Sequence, residues 1–275
     1  VALDPASLQQ HLQQLAQAYG PDLTLAAGPT RVVAAPSAPL AAPLATPRAA
    51  PAPTAPTGAA RPVATAARAA ASPVPPPIAA PDAADPRAAE LAALRAEVMP
   101  CTRCKLHQGR QTVVFGEGDV HAEVLFVGEA PGANEDRTGR PFVGEAGQLL
   151  DRILTGAMGL QRKDVYIANV NKCRPPGNRT PEPDEVAACL PYLQRQVAIL
   201  RPRVIVCLGR TAAHNLLATS EPMRALRGRE LAYDGIPVVV TWHPAYLLRD
   251  PSHKRETWDD IKRVNRLLGR PEVPG

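Results

Sequence analysis

Four of the five cysteines stand at Cys101, Cys104, Cys173 and Cys189, as a C-x2-C pair, 68 intervening residues and then C-x15-C. Four thiolates brought from loops and helix ends can enclose one soft metal centre, either a structural zinc or an iron–sulfur cluster, and the spacing alone does not choose between them. Cys207 differs: it lies between Val206 and Leu208 in an apolar run and reads as a core residue. A second group of chemistry-bearing residues sits where apolar runs end. Glu129 follows the run 124–128, Asn169 ends the run 165–169, Asn178 lies in the next loop, and His243 follows the run 237–242. A carboxylate, two amides and an imidazole are the residue types of proton transfer and of hydrogen bonding to a polar ligand.

These residues can act together only if the elements carrying them converge. The runs 124–128, 165–169, 204–208 and 237–242 are short, apolar and β-branched, and read as buried strands. Between them lie helical patterns over 144–158, from Thr180 to about Leu200, and from Gly209 to Ala218, with a last helix from about Lys254 to Leu268. Asp234-Gly235 is a hairpin turn signal joining 230–233 to 237–242. Alternation of this kind predicts an α/β fold, a three-layer αβα arrangement around a central, mostly parallel sheet of about four strands. In a parallel sheet the loops after Gly128, Asn169, Gly209 and His243 open on one edge, so Glu129, Asn169, Asn178 and His243 are expected to meet there.

Composition divides the chain. No Phe, Trp or Tyr occurs between Gly20 and Val114, and residues 34–86 are mostly Ala and Pro. Such a segment buries too little apolar surface to offset its ordering entropy, so 21–84 is expected to be a disordered linker. Ahead of it, Leu8, Leu12, Leu15 and Tyr19 share one helical face, which predicts a short amphipathic helix within 1–20. A helix beginning at Asp85-Pro86 opens the folded domain, expected at 85–270. The net charge of +5 and pI of about 9.1 lean mildly toward a polyanionic partner. No apolar run is long enough to span a bilayer, and the first residues lack the pattern of a secretory signal. The cytoplasm is the expected compartment, with no membrane partner and a monomeric state.

Taken together, these pieces resemble the family-4 uracil-DNA glycosylases, the iron–sulfur branch of their superfamily. The matching pieces are Cys-Thr-Arg-Cys at 101–104, Gly-Glu-Ala-Pro-Gly at 128–132, Glu-Asp at 135–136 and Gly-Arg-Pro-Phe-Val-Gly at 139–144. They continue with Asn169 to Pro176, Asn178-Arg179, Cys189 and His243-Pro-Ala-Tyr-Leu-Leu-Arg249. The resemblance implies a uracil-DNA glycosylase-like fold and a [4Fe–4S] cluster held by Cys101, Cys104, Cys173 and Cys189. It does not reach residues before about Asp85. A neighbouring branch traps uracil sites covalently through a His on an inserted basic loop. Here the loop from Arg174 to Thr180 is short and has neither His nor Lys, which argues for turnover.

The implied substrate is uracil-containing DNA, single- or double-stranded. The nucleotide must be flipped out to be reached, and hydrolysis leaves an abasic site. Phe142 is then the surface on which uracil stacks, and the Asn169 amide supplies the donor and acceptor its pairing edge needs. Cytosine, with the reverse order, would leave the amide unpaired. Gly128 and Ala130 are expected to border the base. His243 would donate to the uracil oxygen that gains charge. Glu129 and Asn178 are candidates for positioning water or stabilising the sugar cation, and Glu135 for guarding the uracil C5 edge; Asp136 is a further carboxylate nearby. Lys172, Arg174, Arg179 and Arg210 are candidate phosphate contacts, with Leu247 and Leu248 as an apolar tip that could wedge into the gap and Arg249 beside it. The N-terminal segment is a candidate tether to a repair or replication protein. The rival readings are an iron–sulfur nucleic-acid-binding module without turnover, a glycosylase for another deaminated base, and a zinc-stabilised α/β enzyme acting on a free nucleotide.

Overall fold

The central strands bury both of their faces, and the sequence pattern shows why. In the computed structural model, which describes residues 85–271, β2 (Val124–Gly128) and β4 (Val204–Leu208) are buried at every position. Their side chains alternate between two cores. Leu125, Val127, Ile205 and Cys207 face one, while Val124, Phe126, Val204, Val206 and Leu208 face the other. A strand covered on both sides by helices reads as a continuous apolar run rather than an alternating one. The helix expected in 1–20 and the linker at 21–84 lie outside the described residues.

The sheet has six strands in the order β1-β3-β2-β4-β6-β5. The four central strands, β3 (Tyr166–Asn169), β2, β4 and β6 (Ile236–Thr241), are parallel, as the alternation predicts. The edges add two short antiparallel strands. Asp234 and Gly235 both take positive φ and close the expected hairpin between β5 (Leu231–Tyr233) and β6. At the other edge, Glu117–Gly118 forms β1, antiparallel to β3. Gly118 makes this possible, because a Cβ there would lie 1.9 Å from the Val165 carbonyl oxygen, and its φ is +137°.

Helix α1 (Pro86–Val98) is capped by the Asp85 side chain, which accepts from the Arg87 N–H at 3.0 Å. It buries Ala88, Leu94 and Val98. A short helix, α2 (Ala133–Thr138), follows β2. Then α3 (Glu145–Ile153) widens into a π turn over Leu154–Met158, so the helix expected across 144–158 changes its winding near its end. One core packs α4 (Pro183–Leu200) and α5 (Arg210–Leu216) on the sheet through Leu193, Val197, Leu200, Ala212 and Leu216. The opposite core uses Leu150 and Leu154 with Ile261 and Val264 of α8 (Lys254–Leu267). Each buried Leu, Ile or Val among these contributes about 1.5–3 kcal/mol relative to exposure. The short helices α6 (Met223–Leu226) and α7 (Pro244–Arg249) were not anticipated; α7 begins directly after His243. Among the described residues no helix is long and apolar enough to cross a membrane.

Candidate active site

The carboxyl ends of the parallel strands open into one cleft lined by Glu129, Ala130, Phe142, Asn169, Asn178 and His243. Its floor is set by a pairing in the sheet. Gly128 of β2 stands opposite Asn169 of β3. A Cβ at Gly128 would meet the Asn169 Oδ1 at 2.4 Å and the Phe142 Cζ at 2.6 Å, so only glycine lets amide and ring close over this point. Asn169 is 2 % exposed, and its Oδ1 has no hydrogen-bond partner. A buried amide oxygen left unpaired is costly, which marks it as an acceptor aimed at something that enters the cleft.

Phe142 sits at φ +52°, a conformation its bulk disfavours. The loop is braced against that strain. Arg162 donates from Nη1 to the Phe142 carbonyl at 3.0 Å and from Nη2 to the Pro141 carbonyl at 2.6 Å, and pairs with Asp151 at 2.9 Å and with Glu117. On the other side, Gly147 lets the helix backbone approach, since a Cβ there would lie 1.7 Å from the Phe142 oxygen. The Phe142 ring comes within 5.6 Å of the His243 ring, centroid to centroid, at 31°. Both rings line the cleft that Asn169 also lines.

His243 caps α7: its Nδ1 accepts the Ala245 N–H at 3.1 Å. That bond assigns the remaining proton to Nε2. Burial, and secondarily the Arg249 charge, pull its pKa down to about 4, so the ring is a neutral Nε2–H donor near neutrality. Glu129 is oriented by Thr211 in the first turn of α5, whose hydroxyl donates to its Oε2. Asn178, at φ +56°, is exposed at the rim, where its Oδ1 accepts from the Arg174 Nε at 2.8 Å.

Several expected residues serve other purposes. The Glu135 carboxylate accepts the Val143 and Gly144 N–H groups, each at 2.8 Å, and the Gly132 N–H at 3.1 Å. These bonds shape the loop, while Glu135 itself also lines the cleft. Asp136 is 1 % exposed and binds the backbone of Gln111 at 2.9 Å, away from the cleft. Arg179 grips Glu185 through both terminal nitrogens, at 2.8 and 2.6 Å, which occupies the guanidinium expected to meet phosphate. Lys172 is 1 % exposed and cannot reach solvent. Leu247 is also 1 % exposed, because α7 turns it into the core; the next residue, Leu248, is the one that projects, at 41 %. Arg210 and Arg249 remain exposed at the cleft, with no ion pair among the described residues. Sequence reading missed Thr211 and Arg162, because neither lies in a motif and both act through contacts distant in sequence.

Cys101, Cys104, Cys173 and Cys189 line one enclosed hollow, together with Val98, Val113 and Tyr192. All are free thiols. Three of the sulfurs accept hydrogen bonds: Cys189 from the Lys172 N–H at 3.2 Å, Cys173 from Arg110 at 3.3 Å, and Cys101 from the Tyr192 hydroxyl at 3.4 Å. Donors aimed at sulfur suit thiolates bound to a metal. Burial first, and secondarily the neighbouring thiols, raises the thiol pKa of Cys104 and Cys173 and takes Cys189 up to about 11, so a bound cation is what would keep them ionised. Among the described residues, no three His, Cys, Asp or Glu side chains are grouped so as to hold a metal ion. The donor set fits a soft metal centre in chemistry and in its shared hollow.

Residues 115–262, which span the sheet and the site loops, match the uracil DNA glycosylase superfamily. A type-4 uracil-DNA glycosylase of Thermotoga maritima is 46 % identical over 175 residues, covering 62 % of this chain and 91 % of that protein. One of Sulfurisphaera tokodaii is 43 % identical over 190 residues, covering 66 % and 86 %. A type-5 uracil-DNA glycosylase of Pyrobaculum aerophilum is 33 % identical over 180 residues, covering 58 % and 78 %. The chain belongs to the uracil-DNA glycosylase superfamily, within its type-4 family.

Proposed function

We propose that this protein hydrolyses the N-glycosidic bond of uracil flipped out of DNA, releasing the base and leaving an abasic site. The observation that carries the reading is the unpartnered, buried Asn169 Oδ1 in the cleft that Phe142 and His243 also line. Uracil stacked on Phe142 offers its N3–H to that oxygen and its O4 to the Asn169 amide N–H. Cytosine presents an acceptor at N3 and an amine at C4, and would leave both atoms of the amide unpaired. Ala130 borders the base without side-chain bulk, while Gly128, expected to do the same, lies covered by the Asn169 amide and the Phe142 ring.

Bond cleavage builds negative charge on uracil and positive charge on the sugar. The neutral His243 donates its Nε2–H to the uracil oxygen that gains charge, a contact that strengthens toward the transition state. Glu129, held by Thr211, supplies a fixed carboxylate for the sugar cation or the incoming water, and Asn178 at the rim is the second candidate for placing that water. Arg210, Arg249 and Arg174 are the candidate phosphate contacts, and of the Leu247–Leu248 tip it is Leu248 that takes the wedge role.

Cys101, Cys104, Cys173 and Cys189 are proposed to hold a [4Fe–4S] cluster. Such a cluster, when bound, cross-links the 101–104 segment, the loop at Cys173 and helix α4. A monomer working in the cytoplasm, tethered to a repair or replication protein through residues 1–84, completes the reading.

The test is cleavage of uracil in single-stranded and U·G duplex oligonucleotides by protein whose visible absorbance and iron content have been measured. Alkali-labile sites at uracil that disappear in Asn169→Ala support the reading. Iron-loaded protein that binds DNA but releases no base would overturn it in favour of a binding module.

A further inference from the structure

Lys172 is a fully buried amine for which base hydrolysis has no use. It stands three residues after Asn169 and directly before Cys173. Its Nζ donates to the Asn169 backbone carbonyl at 2.8 Å and to the Gln196 Oε1 at 2.5 Å. Gln196, itself 0 % exposed, passes the connection on by donating to the Phe115 carbonyl at 3.0 Å. The backbone of Lys172 is held as well, with its N–H on the Cys189 sulfur at 3.2 Å and its carbonyl accepting from Val114 at 2.8 Å. No carboxylate pairs with it among the described residues. Burying a lysine this way is costly, and chains retain one where its hydrogen bonds fix something.

We propose that Lys172 is a positioning residue that ties the thiol-bearing helix α4 to the last peptide of β3 and so fixes the angle at which Asn169 meets the base. This rests on the reading that Asn169 holds uracil. Two N–H bonds suffice for the two oxygens, so the role does not depend on the protonation state of the amine. Cys189 and Gln196 lie on the same face of α4, seven residues apart, and Lys172 touches both while holding the carbonyl of Asn169. A rotation of that peptide by a fraction of an ångström would misdirect the amide, whose other constraint is the close packing on Gly128.

Lys172→Met keeps length and apolar volume and removes both donors. The test measures kcat/KM on uracil-containing DNA, inhibition by free uracil, inhibition by abasic-site DNA, and the visible absorbance of the metal centre. The expected result is a loss of kcat/KM of about 10²-fold, the scale on which small misplacements act. Free-uracil inhibition should weaken about ten-fold, with abasic-DNA inhibition and absorbance unchanged. A folded variant whose kcat/KM and uracil inhibition match the wild type would overturn the proposal. So would a parallel weakening of uracil and abasic-DNA inhibition, which would signal a merely structural role. If Lys172→Met does not fold, Gln196→Met removes one of the two acceptors and should move uracil inhibition alone, to a smaller degree; no movement there also overturns it. Wild-type protein that releases no uracil would overturn the functional reading itself, which distinguishes the two failures.

Discussion

The cleft and the thiol hollow solve opposite problems within a few residues of each other. The cleft is built from strand ends, where backbone is locked by the sheet, and it leaves a buried acceptor, the Asn169 Oδ1, without a partner. The hollow is built from a loop, a strand exit and a helix, and its sulfurs are supplied with donors from Lys172, Arg110 and Tyr192. An unmet hydrogen-bonding group on a rigid frame is suited to recognising a ligand that comes and goes. Donors directed at soft ligands on separate segments are suited to a resident centre that holds those segments together. The pair of glutamates teaches the same lesson in miniature. Glu135 accepts from three backbone N–H groups and braces its loop, whereas Glu129 has one hydroxyl partner and keeps more capacity for substrate.

The largest expected effect tests the cleft side. Asn169→Ala should lower uracil release by about 10³-fold, and His243→Ala by about 10²–10³-fold, the range for removing one donor to developing charge. Both should leave the visible absorbance intact, as measured by single-turnover kinetics beside a spectrum; loss of colour in either would break the separation of the two regions. On the hollow side, Cys173→Ala should abolish the visible absorbance and lower the thermal midpoint by several degrees, a stability change of the order of a few kcal/mol. If Lys172 couples the regions, uracil inhibition weakens in that variant too.

Acid conditions give a smaller, signed effect. The His243 pKa is about 4 in the fold against 6.5 in the unfolded chain, so between these values the unfolded state binds more protons. Its contribution to stability is therefore complete above about pH 6.5 and is lost as pH falls toward 4. Thermal midpoints measured across this window should fall less steeply in His243→Ala than in the wild type. The smallest effect concerns the rim: Leu248→Ala should slow release from U·G duplex several-fold and leave the single-stranded substrate within about two-fold, because only the duplex needs its gap filled. Equal effects on both substrates would place Leu248 outside the flipping step.

Periodicity and residue type determined much of this protein. The four parallel strands, the shared cleft edge and the convergence of Glu129, Asn169, Asn178 and His243 were legible because side-chain alternation and short β-branched runs are local properties. The four cysteines were legible as a set because few side chains bind soft metals. What the tertiary structure decided were matters of direction and partnership. Leu247 or Leu248 could equally have faced outward until α7 packed on the core and chose, burying the first and exposing the second. Glu135, Arg179 and Lys172 look in sequence like free charges. Each is claimed in the fold by a partner no motif announces: backbone N–H groups, Glu185 and Gln196. The brace that Arg162 gives Phe142 reaches across 20 residues, and the grip of Thr211 on Glu129 across 82. A hydrogen bond between residues so far apart has no local signature, because its energy depends on a distance that only the packed sheet sets.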